Sequence, residues 1–174
     1  EGDDYWTDPY KLQKQVDFLK KKNTFSYVFS NCKILKTNGE IINSSLDIEK
    51  NIFDLHYLLK KGVMPPTPTT MFRKAFLPEK FPSIFWEAFN GDWVLLFFLT
   101  HNSKIGFINE ETAVYREGVG IISKTPMSVK MLNSIKTNKL FNEYTNYEYD
   151  YHLGNFSWHY QNITIDHFKK KKYV

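Results

Sequence analysis

The chain has 174 residues, of which 42% are hydrophobic, so it can bury a core of its own and does not read as disordered. Its formal net charge of +4 is clumped in lysines 20–22, 60–61 and 169–172, but no recognition motif accompanies them, so nucleic acid is not an expected partner. The single cysteine, Cys32, excludes an intrachain disulfide, and the longest apolar stretch, residues 93–99, is far too short to span a bilayer.

Residues 1–6 are acidic and then aromatic. Thr7 or Asp8 caps a helix that starts at Pro9, with Leu12, Val16 and Leu19 on its inner face and lysines 20–22 at its C-terminal end. Residues 25–35 read as a strand, and Asn38-Gly39 as a two-residue hairpin turn into a returning strand at Ile41 and Ile42. A second helix is expected over 51–61, with Ile52, Leu55, Leu58 and Leu59 inward and Gly62 as its stop. Three prolines force an extended segment that leads into a short strand over 69–73. A third helix, 93–100, is apolar on nearly all sides and therefore buried. Residues 104–109 and 112–116 read as two short strands joined by a turn. Pro126 starts a further helix with Met127, Met131, Leu132 and Ile135 inward, and the tail from Asn142 gives little periodic signal. Strands alternating with helices indicate an α/β class.

Two carboxylate arrangements bear on chemistry. Glu1, Asp3 and Asp4 lie within four residues beside Gly2. Carboxylates so close repel one another unless a cation sits among them, and Mg²⁺ is typically held by one or two carboxylates plus substrate phosphates. The other reading is an acidic capping loop. Asp92 opens the apolar helix, where a carboxylate serves either as a cap or as a positioned base. Trp86 and Trp93 are read as core residues first and as sugar-stacking surfaces second, and His56 as a structural histidine.

The run Glu1-Gly2-Asp3-Asp4-Tyr5-Trp6-Thr7-Asp8-Pro9, then Lys11-Leu12 and Gln15-Val16, resembles a stretch of bacterial family-2 glycosyltransferases. The likeness extends through Asn90-Gly91-Asp92-Trp93, Lys104-Ile105-Gly106 and Ala113-Val114-Tyr115-Arg116, and fades after Ser123. It implies a GT-A fold, Rossmann-like with a mixed sheet. Residues 1–125 would form the acceptor and catalytic half, and 126–174 a helical extension with a basic tail. The nucleotide-gripping half would lie upstream of Glu1, and these residues alone would have no useful transferase activity. The resemblance makes Asp3 a ligand of Mg²⁺ or Mn²⁺, places Glu1 and Asp4 near the donor nucleotide, and brings Arg116 towards its phosphates. Asp92 becomes the base that takes the acceptor proton in an inverting transfer. Thr69, Thr70 and Arg73 would face donor and acceptor, with Trp93 beside them.

The implied partners are a UDP-, GDP- or dTDP-linked sugar and a saccharide or lipid-linked saccharide acceptor. The implied setting is surface polysaccharide or glycolipid synthesis in the bacterial cytoplasm. The lysines that follow Trp158, Tyr160 and Phe168 offer peripheral contact with the inner membrane face. One departure stands out: Glu117 and Gly118 follow Arg116, where family members often carry a histidine. Two further readings remain, a non-catalytic sugar-binding or assembly module that keeps the fold, and a glycoside hydrolase with paired carboxylates.

Overall fold

A computed structural model describes residues 2–44, 46, 48–154 and 156–171. The chain is α/β with a mixed six-stranded sheet, and it divides into two compact units. Unit 1 comprises Glu1–Pro78 and Leu96–Ser123; unit 2 comprises Glu79–Leu95 and Lys124–Val174.

Unit 1 holds the whole sheet. In chain order its elements are β1 (Tyr5–Trp6), α1 (Lys11–Lys20), β2 (Phe25–Leu35), β3 (Ile41–Asn43), β4 (Ile52–Phe53), α2 (Leu55–Lys61) and β5 (Met71–Phe72). The division falls within α4 (Gly91–Thr100), which follows α3 (Ser83–Glu87) of unit 2; β6 (Lys104–Arg116) then returns to the sheet. The centre is the parallel pair β2 and β6. Each edge is split: β4 and β1 both pair antiparallel with β6, while β5 and β3 pair antiparallel with β2.

The first eight residues of β2 are all buried, so this strand is covered on both faces and shows no alternation. Most of its polar groups bond to β6 or the residue before it, while Asn31 Oδ1 stays buried without a partner among the described residues. Ser30 Oγ and Thr112 Oγ1 are 2.6 Å apart, Asn31 Nδ2 donates to Asn109 Oδ1 at 2.6 Å, and Ser26 bonds Ser103. Phe29 packs on Phe107 and Phe53, with ring centroids 5.2 and 6.1 Å apart. Gly106 is where Phe18 of α1 closes on β6: an added Cβ would stand 2.2 Å from the Phe18 ring.

Several sequence expectations are corrected. Residues 104–116 form one strand, because Ser30 pairs with Ile108 and Asn31 with Glu111, so Asn109 and Glu110 are absorbed as a bulge. Residues 51–61 are not one helix: Ile52 and Phe53 pair with Gly106 and Ile105, and Asp54 accepts from Tyr57 N at 3.1 Å to cap α2. Gly62, at φ 63°, ends α2 as expected. The β2–β3 loop is longer than two residues: Lys36 N bonds Glu40 O, Gly39 N bonds Lys36 O, and Gly39 takes φ 86°. Pro9 lies in the turn before α1, with Asp8 Oδ1 accepting from Tyr10 N at 2.8 Å. The buried side of α1 is Lys11, Gln15, Phe18 and Leu19, while Leu12 is exposed. Residues 69–73 yield only the two strand residues of β5, since Thr67–Thr69 form a 3₁₀ turn.

Unit 2 carries the residues of α3, the first turn of α4, and the helices α6 (Met127–Tyr144), α7 (Asp150–Leu153) and α8 (Ser157–Lys171) that follow α5 (Ile121–Lys124). Met131 and Ile135 of α6 are buried as expected, but Met127 and Leu132 are exposed. The inner stripe is largely polar, including Ser134, Thr137, Asn138 and Asn142, so hydrophobic periodicity misplaces the face. After α6 the chain reverses through Asn146 and Tyr147, both at positive φ, and Tyr147 N bonds Asn142 O at 2.7 Å.

Candidate functional site

Strand pairing brings the acidic run to the end of β6. Tyr5 lies opposite Val114 and Trp6 opposite Ala113, which carries Asp3 and Asp4 alongside the segment that begins at Tyr115. Asp4 Oδ1 accepts from Arg116 N at 2.8 Å, joining residues 112 apart in sequence. The Arg116 guanidinium lies 5.3 Å from the Tyr5 ring centroid, a cation–π contact that holds an exposed arginine in place.

The loop beyond β6 stays close because its glycines permit it. Gly118 adopts φ 85°, and a Cβ there would meet Thr37 Cγ2 at 2.7 Å. Gly120 approaches Asp3, whose Oδ2 would be 3.6 Å from an added Cβ. Among the described residues Asp3 makes no hydrogen bond or ion pair, so its carboxylate keeps its capacity for a ligand. Cys32 is buried nearby: burial pushes its thiol up, and the negative charges of Asp4 and Glu111 add to the effect.

Beside this cluster, Trp6 and α1 form a second, linked arrangement that the sequence reading passed over. Lys11 is fully buried, with Nζ 4.5 Å from the Trp6 ring centroid and donating to Gln15 Oε1 at 2.8 Å. Gln15 Nε2 donates in turn to Thr69 O at 2.7 Å, and Trp6 Nε1 to Pro68 O at 3.0 Å. Burial lowers the Lys11 pKa to about 8. Trp6, Pro9, Lys11 and Leu12 line an open hollow of about 340 Å³. The signal was present as a polar pair at i, i+4, but helical spacing draws attention to the apolar residues instead. Lys14 pairs with Asp8 at 2.8 Å, and its pairing with Glu110 fastens the same helix to the β6 bulge.

The other expected site residues have different surroundings. Thr69 is buried, and its hydroxyl donates to Pro66 O at 2.7 Å; that of Thr70 donates to Thr67 O at 3.0 Å. Arg73 donates through Nε to Phe25 O at 2.9 Å and through its terminal nitrogen to Leu19 O, tying β5 to the end of α1. These bonds give all three residues an architectural role in unit 1. Asp92 is exposed in the first turn of α4, and its Oδ1 accepts from Trp93 N at 2.9 Å. Trp93 is half-buried, and the helix beyond it is buried from Leu96 to Thr100. Trp86 is not a core residue: it is 73% exposed and packs edge-on against Phe85. His56 is exposed on α2.

No family model, curated protein or solved structure matches this chain. Glu1 lies outside the described residues, so the three-carboxylate cluster is represented by Asp3 and Asp4 alone. Among the described residues no group of three or more His, Cys, Asp or Glu side chains converges to hold a metal. Two half-buried carboxylates nevertheless suit Mg²⁺ or Mn²⁺, which retain water and complete their shell with substrate phosphates.

Proposed function

We propose that this chain carries the metal-side and acceptor-side chemistry of an inverting glycosyltransferase with a GT-A fold, acting on a nucleotide-linked sugar. The observation that carries the reading is the meeting of Asp3, Asp4 and Arg116 at one end of a mixed sheet. Carboxylates and an arginine placed at the same end of the β1–β6 ladder suit a diphosphate bound with a divalent cation. Asp3 and Asp4 would hold the cation, which when bound neutralises charge on the leaving diphosphate. Arg116, fixed over Tyr5, matches phosphate geometry from its own side.

Asp92 would take the acceptor hydroxyl proton. The positive end of the α4 dipole favours a carboxylate there. Sugar, nucleotide base and linkage are set by contacts that lie outside these groups. The test is equilibrium dialysis of the intact parent protein with UDP, GDP and dTDP, with and without Mn²⁺. Binding of one nucleotide that requires Mn²⁺ and falls at least tenfold in Asp3→Ala is expected. Nucleotide binding indifferent both to Mn²⁺ and to Asp3 would refute the site.

One observation favours a second reading, a non-catalytic sugar-binding module. Glu117 follows Arg116, and its amide is spent on Leu35 O at 2.9 Å, so no imidazole stands where the resemblance leads one to expect it. Saccharide binding without any turnover of nucleotide sugars would select this alternative.

A further inference from the structure

We propose that the outward face of α8 seats the protein on an acidic phospholipid bilayer. The helix has 15 residues and an inner side defined by contacts within unit 2. His159, Asn162, Ile163 and Asp166, at spacings of three and four, are half-buried. Asp166 Oδ2 accepts from Ser128 N at the start of α6, and Lys139 of α6 lies over the Phe156 ring just before α8. These contacts fix which side faces out.

On that outer side Trp158, Gln161, Ile165 and Phe168 stand at i, i+3, i+7 and i+10, a single stripe within about a quarter turn. Trp158 is 59% exposed, Ile165 52% and Phe168 64%. A stripe of Trp, Ile and Phe facing water on a helix already anchored by its other side is apolar surface in search of a cover.

Charge selects the cover. The sequence continues directly into lysines 169–172, and the only acidic residue of α8 is Asp166, which is turned inward. An apolar stripe followed in sequence by four lysines fits an anionic interface, where aromatic rings sit at headgroup depth and lysines meet phosphates. Each lysine adds roughly fivefold to such binding, and neither signal alone gives stable attachment. The attachment is peripheral: among the described residues no helix is long and apolar enough to cross a membrane.

The experiment is sedimentation of the full chain with vesicles of phosphatidylcholine, alone or mixed with phosphatidylglycerol, together with tryptophan emission. Binding is expected to the acidic vesicles only, to weaken with salt, and to fall at least tenfold in both the Trp158→Ser/Phe168→Ser variant and the variant with lysines 169–172 changed to Gln. The emission blue shift on binding should vanish in Trp158→Phe. Circular dichroism confirms that the exposed substitutions leave the fold intact. The proposal is overturned if acidic vesicles are not bound, or if binding or the blue shift survives loss of Trp158. It is equally overturned if the lysines instead bind single-stranded RNA without Trp158 and Phe168, or if those residues serve only a concentration-dependent dimer.

Discussion

Replacing Lys11 by Met should reverse its effect on stability between neutral and alkaline pH. Lys11 is buried, and its pKa falls from an ordinary 10.5 to about 8. At about 1.4 kcal/mol per pH unit, this drop corresponds to about 3 kcal/mol against the charged form. Between those two values the unfolded chain holds more protons than the native one, so native stability rises across the window as pH increases. Below about pH 8 the ammonium is buried at full cost. Met removes that charge but strands Gln15 Oε1, which is buried, at a cost of about 2 kcal/mol. The variant is therefore expected to be about 1 kcal/mol more stable than the native protein at pH 7 and about 2 kcal/mol less stable near pH 10.5. Parallel urea unfolding at both pH values, followed by far-UV circular dichroism, measures the difference. All other titrating groups are common to both proteins and cancel. A difference that does not change with pH would refute the reasoning.

Gly106→Ala should destabilise unit 1 by about 2 kcal/mol, since its Cβ would overlap the Phe18 ring in a packed core; a denaturation midpoint within error of the native protein would contradict that contact. Tyr147→Gly should raise the melting temperature by a few degrees, because Tyr147 holds φ 64° and is 59% exposed, so relief of about 1 kcal/mol of strain outweighs lost packing. In a sugar-transfer assay of the intact parent enzyme, Asp92→Asn should lower kcat by about 10²-fold or more with donor binding unchanged; normal kcat would reduce Asp92 to a helix cap.

The sequence was most readable where a single local rule governs. β2 matches its expected bounds because an aromatic and β-branched run has few other options, and Gly62 ends α2 because the left-handed cap requires it. The apolar α4 likewise announced its own burial. Reading failed where distant partners decide. Ile52 and Phe53 become strand because β6 supplies an edge, and Asn109-Glu110 becomes a bulge rather than a turn because β2 continues past it. Within the site, Asp3 and Asp4 were visible as a cluster, but their meeting with Arg116 depends on the β1–β6 register. Lys11 and Gln15 went unread as buried for the opposite reason: helical spacing puts Leu12, Val16 and Leu19 inward, whereas the two polar residues bond each other inside.

The split edges of the sheet distribute resistance to opening unevenly. β1 is only two residues long, and its short ladder to β6 is supplemented by single side-chain bonds from Trp6 to Pro68 O and from Arg116 N to Asp4, whereas β2 and β6 share a long parallel pairing through the core. The acidic run is thus tethered to the structure by a latch that can release without melting the centre. Amide exchange at Tyr5 and Trp6 should proceed by such local opening, orders of magnitude faster than at Val28 or Phe29. Whatever binds between Asp3 and Arg116 would close the latch and slow that exchange, so ligand occupancy becomes readable at the backbone even when no chemistry follows.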